Sequence, residues 1–195
     1  QPPTVTGISP LTTLTSGGVL AGWDAGTKIQ ASDPEVSDQF GHSVAMSSDG
    51  TKVIVGARLE DTGGSQTGAA YIYTYSGGSW SQEAKIQASD LQATDRFGFS
   101  VSMNSDGTKV IVGAYLEDTG GSAAGAAYIF VYSSGSWSQE AKIQSSDKQA
   151  DDNFGYSVSM SSDGTKVIVG ARYEDTGAGD AGKAYIYTYS SGSWG

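Results

Sequence analysis

Three acidic pairs, Glu60-Asp61, Glu117-Asp118 and Glu174-Asp175, stand at a constant spacing of 57 residues. Carboxylates gathered in this way can collect a cation or meet a basic partner surface. They can equally be solvated loop residues that accept backbone N–H bonds in Asx-type turns. Asp38, Asp95 and Asp152, each two residues before a Phe, suit that second role. His42 is the single histidine, so any Ser-His-Asp arrangement would have to pass through it. Phe99 and Tyr156 occupy the equivalent positions, which makes packing of a flat side chain the expected role. The run from Gly177 to Lys183 matches Gly-x-Gly-x-x-Gly and the start of a phosphate loop. It precedes a strand rather than opening a helix, and Ala184 stands where Ser or Thr would bind magnesium, so the match is expected to be accidental.

Composition removes further classes of chemistry. The 195 residues contain no cysteine, which excludes a disulfide framework, a thiolate nucleophile and a Cys-based zinc site. One histidine excludes a multi-histidine metal site within one chain. Eleven Lys and Arg against 21 Asp and Glu leave a net charge of −10, which argues against binding a phosphate backbone. No apolar run approaches the 18 or so residues of a membrane-spanning helix. No signal-peptide pattern opens at Gln1, which fits a mature product, a fragment or a cytosolic protein.

A period of 57 organises the sequence. Trp23, Trp80, Trp137 and Trp194 follow it, as do Phe40-Gly41, Phe97-Gly98 and Phe154-Gly155. Residues 80–136 and 137–193 are identical at 43 of 57 positions. The organisation read from this is an N-terminal non-repeat segment, 1–22, then three repeats, 23–79, 80–136 and 137–193. Residues 194–195 begin another.

Within a repeat the pattern is that of strands. Phe40 to Met46 alternates in part, Lys52 to Ala57 is β-branched, Ala70 to Tyr75 is aromatic and β-branched, and Trp80 to Gln87 carries spaced apolar residues. Ser-Asp-Gly-Thr at 48–51 supplies a hairpin turn, with Asp-Gly giving the positive φ it requires. Glycine interrupts every candidate helix. The expectation is an all-β chain of three tandem β-propeller blades, each a four-stranded antiparallel sheet.

The succession Asp-x-Phe-Gly-x-Ser-Val, Val-x-Val-Gly-Ala, Gly-x-Ala-Tyr-Ile and Trp resembles the FG-GAP repeat. That repeat is the blade unit of integrin α-chain propellers and of many secreted microbial and algal proteins. Arg58, Tyr115 and Arg172 replace the terminal Pro of the family's name. Lys85-Ile-Gln-Ala-Ser-Asp90 resembles the Trp-containing subclass. The resemblance implies extracellular blades engaged in adhesion or protein contact. Calcium-binding members carry an Asp-rich loop between the first two strands. Here Ser47-Ser-Asp-Gly-Thr51 offers one carboxylate where calcium wants six to eight oxygens, so no cofactor is expected at that loop.

A four-strand meander brings loops 31–39 and 58–69, with their equivalents, to one rim. Tallied by loop, that rim carries the whole −10. Tyr71, Tyr73 and Tyr75 share one strand face and could stack a glycan or fill the space between blades. Met46, Met103 and Met160, with Val44, Val101 and Val158, read as core. Three blades leave two open sheet faces, since propellers generally have four to eight. Either the sequence is an excerpt or another chain completes the ring, by self-association or with a protein partner. Within residues 1–22, Leu11 to Gly18 can be laid on Tyr71 to Gly78 of the repeat, which suggests a closing strand. The expected function is a non-catalytic extracellular structural or adhesion module. A propeller binding a glycan or a cation at the acidic rim is the alternative.

Overall fold

The computed structural model describes residues 26–175 and 178–195. The closing strand expected within 1–22, and Trp23, lie outside the described residues. Every regular element among the described residues is a β-strand. The first sheet holds β1 (Phe40–Met46), β2 (Lys52–Ala57), β3 (Ala69–Ser76) and β4 (Ser79–Ile86). The second holds β5 (Ser100–Met103), β6 (Lys109–Ala114), β7 (Ala126–Ser133) and β8 (Ser136–Ile143). The third holds β9 (Phe154–Met160), β10 (Lys166–Ala171), β11 (Lys183–Ser190) and the two-residue β12 (Ser193–Trp194). Each sheet is an antiparallel meander in chain order. Each takes its fourth strand from the segment that opens the next sequence repeat. No helix among the described residues is long and apolar enough to cross a membrane.

The hairpins follow from local chemistry. Gly50, Gly107 and Gly164 take φ of 71°, 69° and 66°. Beside them one Asp oxygen accepts from the backbone two residues on, as Asp49 Oδ1 does from Thr51 N at 3.0 Å. Asp106 and Asp163 repeat the bond. The Ser47 and Ser161 hydroxyls, which also donate to these carboxylates, together with the backbone bonds hold the Asp49 and Asp163 carboxyls down to about 2. The single carboxylate of each loop is thus engaged in its turn.

β1, β5 and β9 lie next to one another, and the sheets stack face to face around them. Two cores fill the spaces between sheets. In one, Ile54 and Ile72 meet Val101 and Met103. In the other, Ile111 and Ile129 meet Val158 and Met160. Burial of these apolar faces at roughly 25 cal/mol per Å² is the main force joining blade to blade.

The three-fold sequence pattern does not give three equal environments. Met103 and Met160 are each 8% exposed, but Met46 is 57% and Val44 68% exposed. The core role expected of Met46 and Val44 therefore does not hold here, because among the described residues no blade packs against this side of the first. Ile186 is 70% exposed for the matching reason at the other end, where its equivalents Ile72 and Ile129 are fully buried.

Candidate functional site

The acidic rim forms as a set of repeated knots. Asp33 belongs to the loop before β1 and Glu60 to the loop after β2. Lys85, on β4, reaches both: its ammonium lies 2.7 Å from Asp33 Oδ2 and 2.8 Å from Glu60 Oε1. In the second blade Lys142 lies 2.6 Å from Asp90 and 2.8 Å from Glu117. Glu60 and Glu117 are buried, and Gln87 and Gln144 donate to their second oxygens at 3.0 and 2.9 Å. Burial pushes the Lys85 and Lys142 ammonium groups toward neutrality, but the paired carboxylates outweigh it and hold both above the ordinary lysine value. Lys85 in turn draws the Asp33 carboxyl down.

The third blade builds the same knot from a different strand. Its ammonium comes from Lys183 on β11, 3.2 Å from Asp147 and 3.1 Å from Glu174. The equivalent positions in the other blades are Ala69 and Ala126. Lys85 and Lys142 also correct the loop tally of charge. They belong to strands by sequence, but their charged ends sit at the rim, so its surplus is smaller than the loops alone suggest.

Of the six acids singled out by spacing, Glu60, Glu117 and Glu174 face inward to lysine. Asp61, Asp118 and Asp175 are exposed. Asp61 Oδ1 accepts from Gln66 N at 2.6 Å and Asp118 Oδ1 from Ala123 N at 2.7 Å, both within their own loops. Asp175 accepts from Gln149 Nε2 at 3.3 Å. Asp38, Asp95 and Asp152 are buried and accept from the backbone N–H three residues earlier, at 2.7, 2.8 and 2.6 Å. Burial pushes Asp95 up to about 6, with Glu117, Asp118 and Asp90 adding to it.

The tyrosine stripe packs between sheets in the second and third blades, and in the first against Ile29, Ala31 and Phe40. Tyr71, Tyr73, Tyr128 and Phe130 are buried, with Phe97 centred 5.6 Å from Tyr128 and 5.9 Å from Phe130. At the outer end Tyr75, Tyr132 and Tyr189 lie against Trp80, Trp137 and Trp194. His42 stacks on Phe99 at 4.8 Å, and Phe99 on Tyr156 at 4.8 Å, making a ladder of rings across the three blades. Gly177 lies outside the described residues. Lys183, the last residue of the phosphate-loop-like run, begins a strand and binds carboxylates.

Sequence spacing did not single out the joint between blades, where the Phe-Gly motif acts. Phe97 N donates to Thr67 O at 2.9 Å, and Phe97 forms a parallel bridge with Gly68. Next to it the Gly98 carbonyl presses against Gly56, where a Cβ would overlap it, and accepts from Ser43 Oγ at 2.8 Å. Gly113, Gly155, Ser100 and Phe154 repeat the arrangement, with Ser100 Oγ donating to Gly155 O at 2.8 Å. The glycines of Phe-Gly and Val-Gly-Ala thus let two backbones touch. The available signal was the serine three residues after each Phe, repeated at the same period.

The family model described as the FG-GAP repeat matches residues 23–73, 80–130 and 137–187. The chain belongs to the FG-GAP repeat family. No curated protein matches its sequence. Among solved structures, a putative 6-phosphogluconolactonase from Bacteroides uniformis is similar with a TM-score of 0.56 at 13% identity, over 86% of this chain and 42% of that one. Sqt1 from Saccharomyces cerevisiae gives a TM-score of 0.50 at 11% identity, over 81% of this chain and 35% of that one. The likeness is one of fold, that of β-propellers. The FG-GAP chain spans less than half the length of either.

Proposed function

We propose that this chain is a non-catalytic, extracellular structural or adhesion module of FG-GAP blades, working through self-assembly or contact with a protein partner. The observation that carries the reading is a pair of partly uncovered sheet faces: Val44 and Met46 are exposed on the first blade, beside the buried Val53 and Val55, and Ile168 and Ile186 are exposed on the third. Apolar side chains on adjoining strands gain by being covered, and in this chain the equivalent side chains are covered wherever a neighbouring blade exists. The buried glutamates support the reading from the other side. Their oxygens already bind lysine and glutamine, which leaves them poorly placed to bind substrate or cation. Extracellular placement and adhesion rest on the habit of the family. Light scattering over a concentration series tests the proposal: a mass above one chain is expected. A single-chain mass throughout, together with a hydrolytic activity lost on one substitution, would overturn it.

A further inference from the structure

The joint between first and second blades and the joint between second and third are one interface made twice. In each, a Phe-Gly carbonyl sits on a strand glycine, a serine hydroxyl binds that carbonyl, and a Val and Met cover two isoleucines. A ring two residues after each Phe stacks on its counterpart. Among the described residues, each half of this interface also occurs once more, unmatched. The third blade carries the receiving half: Gly170, Ser157, Gly182 and Ala184 line an open groove of about 470 Å³. No neighbouring carbonyl stands over Gly170 as Gly98 stands over Gly56. Beside the groove Ile168 is 42% exposed, where Ile54 and Ile111 are fully buried. The first blade carries the inserting half: nothing lies within 4 Å of a Cβ placed on Gly41, whereas one on Gly98 or Gly155 would strike the preceding blade's backbone.

We propose that the Phe40-Gly41 edge of a second copy of this chain docks into the Gly170–Ser157 groove, head to tail, repeating the internal joint. The proposal rests on the self-assembly reading above and names its contacts. The Gly41 carbonyl of the incoming copy lies over Gly170 and accepts from Ser157 Oγ. Its Val44 and Met46 cover Ile168 and Ile186, and its His42 extends the ring ladder onto Tyr156. The occupant follows from continuity with the two established joints, since both halves are displayed by one sequence. Two copies joined at both ends give six blades, within the range of closed propellers, whereas three copies would give nine.

Sedimentation over a concentration series with the wild-type chain, Gly170→Ala and Ser157→Ala tests the docking. Gly170 has no left-handed φ, and a Cβ there crowds only the Ser157 hydroxyl, at 2.5 Å, with the Ser157 Cβ and carbonyl at 3.8 Å, so the free chain accommodates alanine by rotating that hydroxyl. The docked carbonyl does not. The wild-type mass should climb to twice that of one chain. Gly170→Ala should weaken association roughly 100-fold, and Ser157→Ala about fivefold to tenfold, with the circular dichroism of the dilute variants unchanged. Ser157→Ala keeps the test readable should Gly170→Ala fail to fold. A wild-type chain that assembles with the same affinity as both variants overturns the docking and leaves assembly through another surface. A wild-type chain of single mass at every concentration overturns both.

Discussion

Ser43 Oγ donates to the Gly98 carbonyl at 2.8 Å across 55 residues of sequence, and this bond marks the point where one blade is fastened to the next. Gly56 beneath it has no room for a side chain. Gly56→Ala and Gly113→Ala should therefore each cost about 2–3 kcal/mol of stability through forced backbone separation. Gly170→Ala, at the same position of the third blade, should cost far less in a dilute sample. Urea midpoints of the three variants measure the contrast.

Removing a lysine from a rim knot leaves a buried carboxylate without its counter-charge. Lys142→Met should lower stability by about 3 kcal/mol, because Glu117 is fully buried and loses its ion-pair partner. Lys183→Met should cost less, since that lysine is the most exposed of the three. A double variant, Lys142→Met with Glu117→Gln, should recover much of the loss. Chemical denaturation of the set reads the difference.

Asp95 gives a pH dependence of defined sign. Its carboxyl is raised by burial to about 6, so the folded chain binds that proton more tightly than the unfolded chain does. The resulting stability is fully present below about pH 4 and is lost as pH rises through 6. Asp95→Asn keeps an oxygen for the Gln92 N–H and removes the charge. It should raise stability at pH 8 by on the order of 1 kcal/mol, after discounting for solvent screening. It should also flatten the profile between pH 4 and 7. A denaturation midpoint that depends on pH identically in both proteins would contradict this.

Much of this was legible in the sequence. The period of 57, the Asp-Gly hairpins and the aromatic strands fix the four-stranded meander, because turn chemistry and side-chain alternation are local. The gathering of acids at one rim also follows from meander geometry. The state of those acids does not. Lys85 lies 25 residues from Glu60, on β4 rather than in the loop after β2, so their meeting depends on how β4 pairs with β3. Lys183 shows the limit well: it breaks the repeat at an alanine position and still completes the same knot. Met46 looked identical to Met103 because sequence equivalence carries no information about which blades have neighbours.

The rim knots also predict a response to calcium. With Glu60 and Glu117 held by lysine and glutamine, millimolar calcium should leave the thermal midpoint unchanged to within about 1 °C, less than the shift from one kcal/mol. Scanning calorimetry with calcium and with chelator checks it. A rise of several degrees would favour the cation-binding alternative.

The three methionines provide one methyl probe per blade, and their NMR signals test the central claim most directly. As the sample is concentrated, the exposed Met46 methyl should move toward the buried environment of Met103 and Met160, whose own signals hold still. A Met46 signal unchanged from dilute to concentrated solution would contradict an interface on the first blade.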